Sequence, residues 1–272
     1  MPFNKKTQDQ YYVIGSDVSN SLSPQIHRFL ANVYQQSMRY EHFNIASENI
    51  HSTLHHLKHQ SSLKGLSVTT PYKKILAQYC QWLTPLASKA QAVSNIVIDA
   101  NQHWWGVNLD GMGLINALRY YTNARLTDTR ILILGAGGAT YGIIPTLATE
   151  KPQQIMIANR HIEKAWAIQQ QYPDTPISIC DLSNVPEQPF DIVIQATNCP
   201  NQLSLSTRWF DDYSIGFDLT YQPSGTVFTN WCHSHEIQAY DGKSMLWFLS
   251  LKAFYYWRGI MPDPQLFNQV LT

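Results

Sequence analysis

Three short apolar runs punctuate the second half of the chain, and each stops at glycine or polar residues. Ile131-Leu132-Ile133-Leu134 runs into Gly135, Ile155-Met156-Ile157-Ala158 into Asn159-Arg160, and Ile192-Val193-Ile194 into Gln195-Ala196-Thr197. Uninterrupted aliphatic runs of this kind predict strands buried on both faces, as in a parallel sheet. A glycine-opened helical stretch separates the first two, and Glu163-Lys164-Ala165-Trp166-Ala167-Ile168 continues helically after the second. Strand and helix in alternation predict a doubly wound α/β unit. The first part of the chain alternates separately: Tyr11–Ile14 reads as a strand, Pro24–Tyr34 as a helix and Gly65–Thr69 as a strand ending before Pro71. The segment 85–100 offers a helix and then Ile96-Val97-Ile98, Gly111-Met112-Gly113 marks a boundary before another helix, and a last helix from about Ser244 to Arg258 closes at Gly259 and Pro262. The expected fold is α/β with two domains, residues 1–113 plus 244–272 forming one and 114–243 a Rossmann-type doubly wound domain.

Composition narrows the partners. The chain has 272 residues, 44% of them hydrophobic, with 19 basic and 19 acidic side chains. Such a balance provides no electrostatic footprint for nucleic acid or for an anionic membrane surface. An acidic partner must therefore be a small molecule gripped by local donors. Cys80, Cys180, Cys199 and Cys232 are scattered without a CxxC pair, which speaks against a zinc site or a disulfide framework and suits a reducing compartment. No secretory leader is visible, and no run reaches the roughly 18 apolar residues of a membrane span. The expectation is a soluble cytoplasmic protein, with monomer and homodimer both open and no metal required.

Gly135-Ala136-Gly137-Gly138-Ala139 directly follows a predicted strand and opens a helix. In that context the first glycine permits a sharp turn, the next lets backbone N–H groups approach a pyrophosphate, and the helix N-terminus adds partial positive charge. A tight turn without a dinucleotide is the plainer alternative. Thr140 stands at the third small position of the pattern, where a branched side chain is expected to pack less closely. The tip of the next strand discriminates the cofactor. About 25 residues after Gly135, where NAD enzymes keep a carboxylate for the ribose, the chain has Asn159, Arg160 and His161, with Lys164 one turn on. A guanidinium binds a 2′-phosphate with charge-assisted bonds, so NADP(H) is favoured over NAD; the alternative is a pair of solvated cations.

In the first half, Ser21-Leu22-Ser23-Pro24 places two hydroxyls just before a helix. They suit an N-cap, and equally a carboxylate held beside free helix N–H groups. Thr69-Thr70-Pro71-Tyr72-Lys73 ends a strand, and Asn108-Leu109-Asp110-Gly111 offers a carboxylate in a glycine-flanked turn. A lysine held beside an aspartate in a closed cleft can move a proton to and from a hydroxyl. Spacing alone does not pair the two, and a surface lysine is the plain alternative.

These stretches, together with Ala196-Thr197, Asp218-Leu219-Thr220-Tyr221 and Gly242-Lys243-Ser244-Met245-Leu246, resemble the shikimate dehydrogenase family, in the same order and over nearly the whole chain. The resemblance implies that Lys73 and Asp110 form a catalytic dyad. It further implies that Ser21, Ser23, Thr69, Ser94, Asp110, Tyr221 and Leu249 line a pocket for a cyclic hydroxy acid, and that Thr197, Leu219 and Gly242 join the dinucleotide site. The implied chemistry is hydride transfer between NADP(H) and C3 of the ring. The chain departs from the family pattern inside that pocket: Ser67 and Ser94 stand where asparagines are expected, Asn95 follows one place later, and Leu249 replaces a glutamine. Asn20 replaces a histidine, and Gln195, Asn198 and Pro200 are unusual in the cofactor half. A paralogue acting on quinate or another cyclic acid, and a low-activity metabolite- or NADP-binding module, therefore stand as alternatives. His51, His55, His56 and His59 are expected on the wet face of a helix whose core stripe is Ile50, Leu54 and Leu57.

Overall fold

A computed structural model describes residues 8–122, 126–197 and 203–271. The chain divides into two compact units, Met1–Leu109 with Trp247–Thr272, and Asp110–Leu246.

The first unit runs β1 (Asp9–Gly15), α1 (Ser23–Val33), β2 (Met38–Asn44), α2 (Ile50–Lys58), β3 (Leu63–Val68), α3 (Lys73–Ala77), β4 (Trp82–Leu83), α4 (Pro85–Ala90), β5 (Asn95–Ile98) and β6 (Trp104–Val107). Its sheet has the order β2-β1-β3-β5-β6-β4. β1 is parallel to both neighbours, whereas β5 is antiparallel to β3 and to β6. On one face, Ile50, Leu54 and Leu57 of α2 pack with Ile14, Leu66, Val68 and Ile96. The later turns of the C-terminal helix also belong to this unit: Trp247 and Phe254 are fully buried, and the Trp257 indole donates to the Ile96 carbonyl at 3.0 Å.

The second unit runs α5 (Asp110–Thr122), β7 (Arg130–Leu134), α6 (Gly138–Thr149), β8 (Gln154–Ala158), α7 (Ile162–Gln171), β9 (Ile177–Cys180), β10 (Ile192–Gln195), β11 (Ile215–Asp218), α8 (Val227–Ser234), β12 (Ala239–Tyr240) and the first turn of α9 (Gly242–Arg258). The sheet order is β12-β11-β10-β7-β8-β9, with every pairing parallel. This is the doubly wound order, and its direction of progression reverses between β7 and β10, where ligands bind at the carboxyl ends.

Two local expectations are corrected. Helix α5 starts at Asp110, so Gly111-Met112-Gly113 lies in its first turn rather than in a turn before it. The glycine there serves helix packing, because a Cβ on Gly111 would collide with Thr146 of α6. At α1 the N-cap residue is Leu22, which makes no side-chain cap bond; it is Ser21 Oγ, one residue earlier, that accepts from the N–H of Ser23, the first residue of the helix, at 3.3 Å. No helix among the described residues is long and apolar enough to cross a membrane.

Candidate active site

The glycine turn sits at the reversal point of the second sheet. Gly135 takes φ +113°, a backbone conformation that strains any residue with a Cβ, and a Cβ there would also press on Ala196 and Thr197 after β10. Gly135 N–H donates to the Ala158 carbonyl at 2.8 Å. At Gly137 and Gly138 an added Cβ would meet nothing within 4 Å, and Gly137 caps α6 without a side-chain bond. Bare backbone at a helix N-terminus, facing open space, fits a pyrophosphate. The Thr197 hydroxyl is buried with no partner among the described residues, a further polar atom that a ligand could satisfy. Thr140 packs better than expected: it is fully buried, and its hydroxyl returns to the Gly135 carbonyl at 2.8 Å, bracing the turn.

Asn159 at the tip of β8 fastens this turn to the next loop. Its Oδ1 accepts from Ala136 N–H at 3.1 Å, and its Nδ2 donates to the His161 carbonyl at 2.7 Å. Arg160, His161 and Lys164 are placed around it at the surface, and His161 lies 3.5 Å from Glu163. On the other side, Gln195 is buried and clamps Thr197, accepting from its N–H at 2.7 Å and donating to its carbonyl at 3.2 Å. The unusual glutamine thus holds its own loop; Asn198 and Pro200 lie outside the described residues. Leu219 N–H donates to the Gln195 carbonyl at 3.0 Å, and Gly242 N–H to that of Thr220 at 2.8 Å. A Cβ on Gly242 would strike the Leu219 carbonyl, so these two candidates share one corner. Burial pushes the Asp218 carboxyl above the usual range, against hydrogen bonds from Thr220 and Thr226. Asp110 is also buried, and its carboxylate lies over Gly142 of α6, where any Cβ would displace Oδ2.

In the first unit, Ser21 donates to Ser23 Oγ at 3.2 Å and accepts from the Ser23 N–H at 3.3 Å. The Ser21 carbonyl is bonded to His42 Nε2 at 2.9 Å. Thr69 follows the last residue of β3, anchored by its N–H on the Ile14 carbonyl at 3.0 Å. Lys73 is half-buried as the first residue of α3, and its carbonyl accepts from Val93 N–H at 3.0 Å. Ser94 is buried with its hydroxyl donated to Asn95 Oδ1. Leu249 is half-buried on α9, and Tyr221 half-buried beyond β11. Lys73 thus belongs to the first unit and Asp110 opens the second.

Among the described residues, Asn95 and His27 are two of the buried groups to which the sequence pattern gives no role. Asn95 joins Ser67 and Ser94 across two strands, and His27 is fully buried in α1. The second carries a signal: Ser23, Ile26, His27, Leu30 and Ala31 form the core stripe of α1 at helical spacing. His51, His55 and His56 on α2, and His59 at its C-cap, are exposed beside the buried Ile50, Leu54 and Leu57. Among the described residues no three His, Cys, Asp or Glu side chains cluster as metal ligands would.

A parallel α/β unit with a bare glycine turn at its switch point, joined in one chain to a mixed-sheet α/β unit, defines a two-domain dinucleotide-dependent class of protein. Residues 13–97 match the family model of the shikimate dehydrogenase substrate binding domain, and residues 118–211 match that of shikimate / quinate 5-dehydrogenase. Shikimate dehydrogenase (NADP(+)) of Marinobacter nauticus is 30% identical, with 97% of this chain and 98% of the relative covered. The chain belongs to the shikimate dehydrogenase family. Among solved structures, shikimate 5-dehydrogenase from Thermus thermophilus in complex with NADP(H) and shikimate superposes with a TM-score of 0.84 at 24% identity, covering 96% of this chain and 98% of that one. The ligand-free 5-ketofructose reductase of a Gluconobacter strain superposes with a TM-score of 0.85 at 20% identity, covering 97% and 98%. A reductase named for a different substrate thus shares the fold, and the substrate must be argued from side chains.

Proposed function

We propose that this protein is an NADP-dependent shikimate dehydrogenase, reducing 3-dehydroshikimate reversibly to shikimate in the pathway to chorismate and the aromatic amino acids. The reading is carried by one observation: a chain that matches NADP-dependent shikimate dehydrogenases from end to end keeps a lysine just beyond β3 and an aspartate opening α5. The first unit serves as the substrate domain and the second as the NADP domain. Lys73 donates its proton to the C3 oxygen as the ketone becomes an alkoxide, and Asp110 orients the ammonium and accepts from ring hydroxyls. When bound, NADPH supplies the hydride to C3. Ser21, Ser23, Thr69 and Tyr221 hold the ring acid and its carboxylate, which fixes the carbonyl for attack. The protein works in the cytoplasm as a monomer or homodimer.

A second reading, quinate or another cyclic acid as preferred substrate, draws on Leu249 and on the Ser94 proton being donated inside the protein. Following NADPH or NADH formation with shikimate and quinate, each with NADP+ and NAD+, separates them. Shikimate with NADP+ should turn over fastest; faster quinate oxidation selects the second reading, and no turnover of either acid overturns both. Arg160→Ala should raise the KM for NADP+ by about 10- to 100-fold, the equivalent of charge-assisted bonds worth roughly 1.5–3 kcal/mol, with the KM for NAD+ little changed. An equal rise for both cofactors would remove Arg160 from the 2′-phosphate site.

A further inference from the structure

β3 and β5 pair antiparallel with Ser67 directly opposite Asn95. Asn95 is fully buried. Its Nδ2 donates to Ser67 Oγ at 3.0 Å, and its Oδ1 accepts from the Ser94 hydroxyl at 3.0 Å. Ser94 Oγ in turn accepts from the Leu109 N–H at 2.8 Å. The chain of bonds therefore runs from β3, whose end leads through Thr69 to Lys73, across one amide to the residue immediately before Asp110.

The donor inventory gives this chain a direction. A serine hydroxyl has one proton to give. Ser94 spends its proton on Asn95 and takes the Leu109 N–H, so it has no donor left for a ligand. Ser67 accepts from Asn95, which leaves its own O–H as the outgoing donor of the network. Buried polar chains whose members are satisfied hold their elements in one arrangement.

We propose that Asn95 is a positioning residue that sets the strand end carrying Lys73 against the backbone leading to Asp110, and that the hydroxyl this network offers to the ring acid is that of Ser67, not Ser94. The inference rests on the shikimate dehydrogenase reading and deepens it. It gives the displaced asparagine a role: the amide has moved from the pocket wall to the joint behind it, and the pocket meets substrate with one hydroxyl where the family pattern has two amides. Ring acids with fewer hydroxyls at that wall lose correspondingly less.

The test uses the full-length enzyme with shikimate, NADP+ and thermal melts. Asn95→Ala should lower kcat by about tenfold and shift the pH profile of kcat/KM by about half a unit, with the KM for NADP+ within about twofold of wild type. Partial unfolding would scale the profile without moving it. Ser67→Ala should raise the KM for shikimate about five- to tenfold, as loss of one neutral hydrogen bond does, and Ser94→Ala should leave that KM within about twofold while lowering kcat. If Asn95→Ala does not fold, Asn95→Ser is read in the same way. An Asn95 variant whose profile superimposes on wild type, or a Ser94→Ala effect on KM equal to that of Ser67→Ala, overturns the inference alone. A wild-type enzyme that turns over neither shikimate nor quinate overturns the functional reading and this inference together.

Discussion

Lys73→Ala should slow NADPH oxidation with 3-dehydroshikimate by about 10²- to 10⁴-fold, the usual cost of removing a positioned acid or base, without weakening NADPH binding or unfolding the protein. Stability should hold for a physical reason. Lys73 is the first residue of the five-residue α3, where a cation faces the positive end of the helix dipole, so losing its charge removes no favourable interaction with the helix. Asp110 occupies the opposite electrostatic situation. It opens the 13-residue α5, where a carboxylate is favoured by roughly 0.3–1 kcal/mol. Asp110→Asn should therefore combine a comparable loss of turnover with a small fall in melting temperature. A Lys73→Ala enzyme that keeps a substantial fraction of wild-type turnover, while binding NADPH normally, would remove the lysine from the chemistry.

The second unit is the more legible of the two. β7, β8 and β10 are buried on both faces, and such strands announce themselves as apolar runs. The edge strand β2, Met38–Asn44, carries Arg39, Glu41 and His42 and lacks the continuous apolar run that marks the central strands. β4 has two residues and β11 contains Gly216, which leaves little pattern to detect. The glycine turn is legible because such a turn is local: Gly135 to Ala139 and Asn159-Arg160 follow two consecutive strands, β7 and β8. The Ser67–Asn95–Ser94 network is not, because it depends on antiparallel register between strands 28 residues apart, and sequence pattern carries no register. For the same reason the family resemblance alone assigns Ser94 to the substrate, whereas the fold spends its proton on Asn95.

Acid should weaken this protein through His27. The ring is fully buried and stacked on Tyr40 at 4.4 Å, with Trp257 5.0 Å away, and neither ring nitrogen has a partner among the described residues. Burial in this aromatic surround holds its pKa down to about 3, against about 6.5 in an unfolded chain. Above pH 6.5 neither state binds the proton and nothing is lost. As pH falls from there towards 3, the unfolded chain takes up a proton that the folded one refuses, and stability drops by up to roughly 1.4 kcal/mol per pH unit. Asp218 and Asp241, whose carboxyls are raised by burial, act in the opposite direction, since the folded state then protonates first. Comparing two proteins at each pH cancels them. His27→Phe keeps the stack and has no proton to bind, so its advantage in melting temperature over wild type should grow between pH 7.5 and pH 5, by about 2–4 °C for each kcal/mol. A constant gap between the two melting curves across that range would mean that His27 is protonated in the folded protein, and that a partner or a buried water reaches its ring.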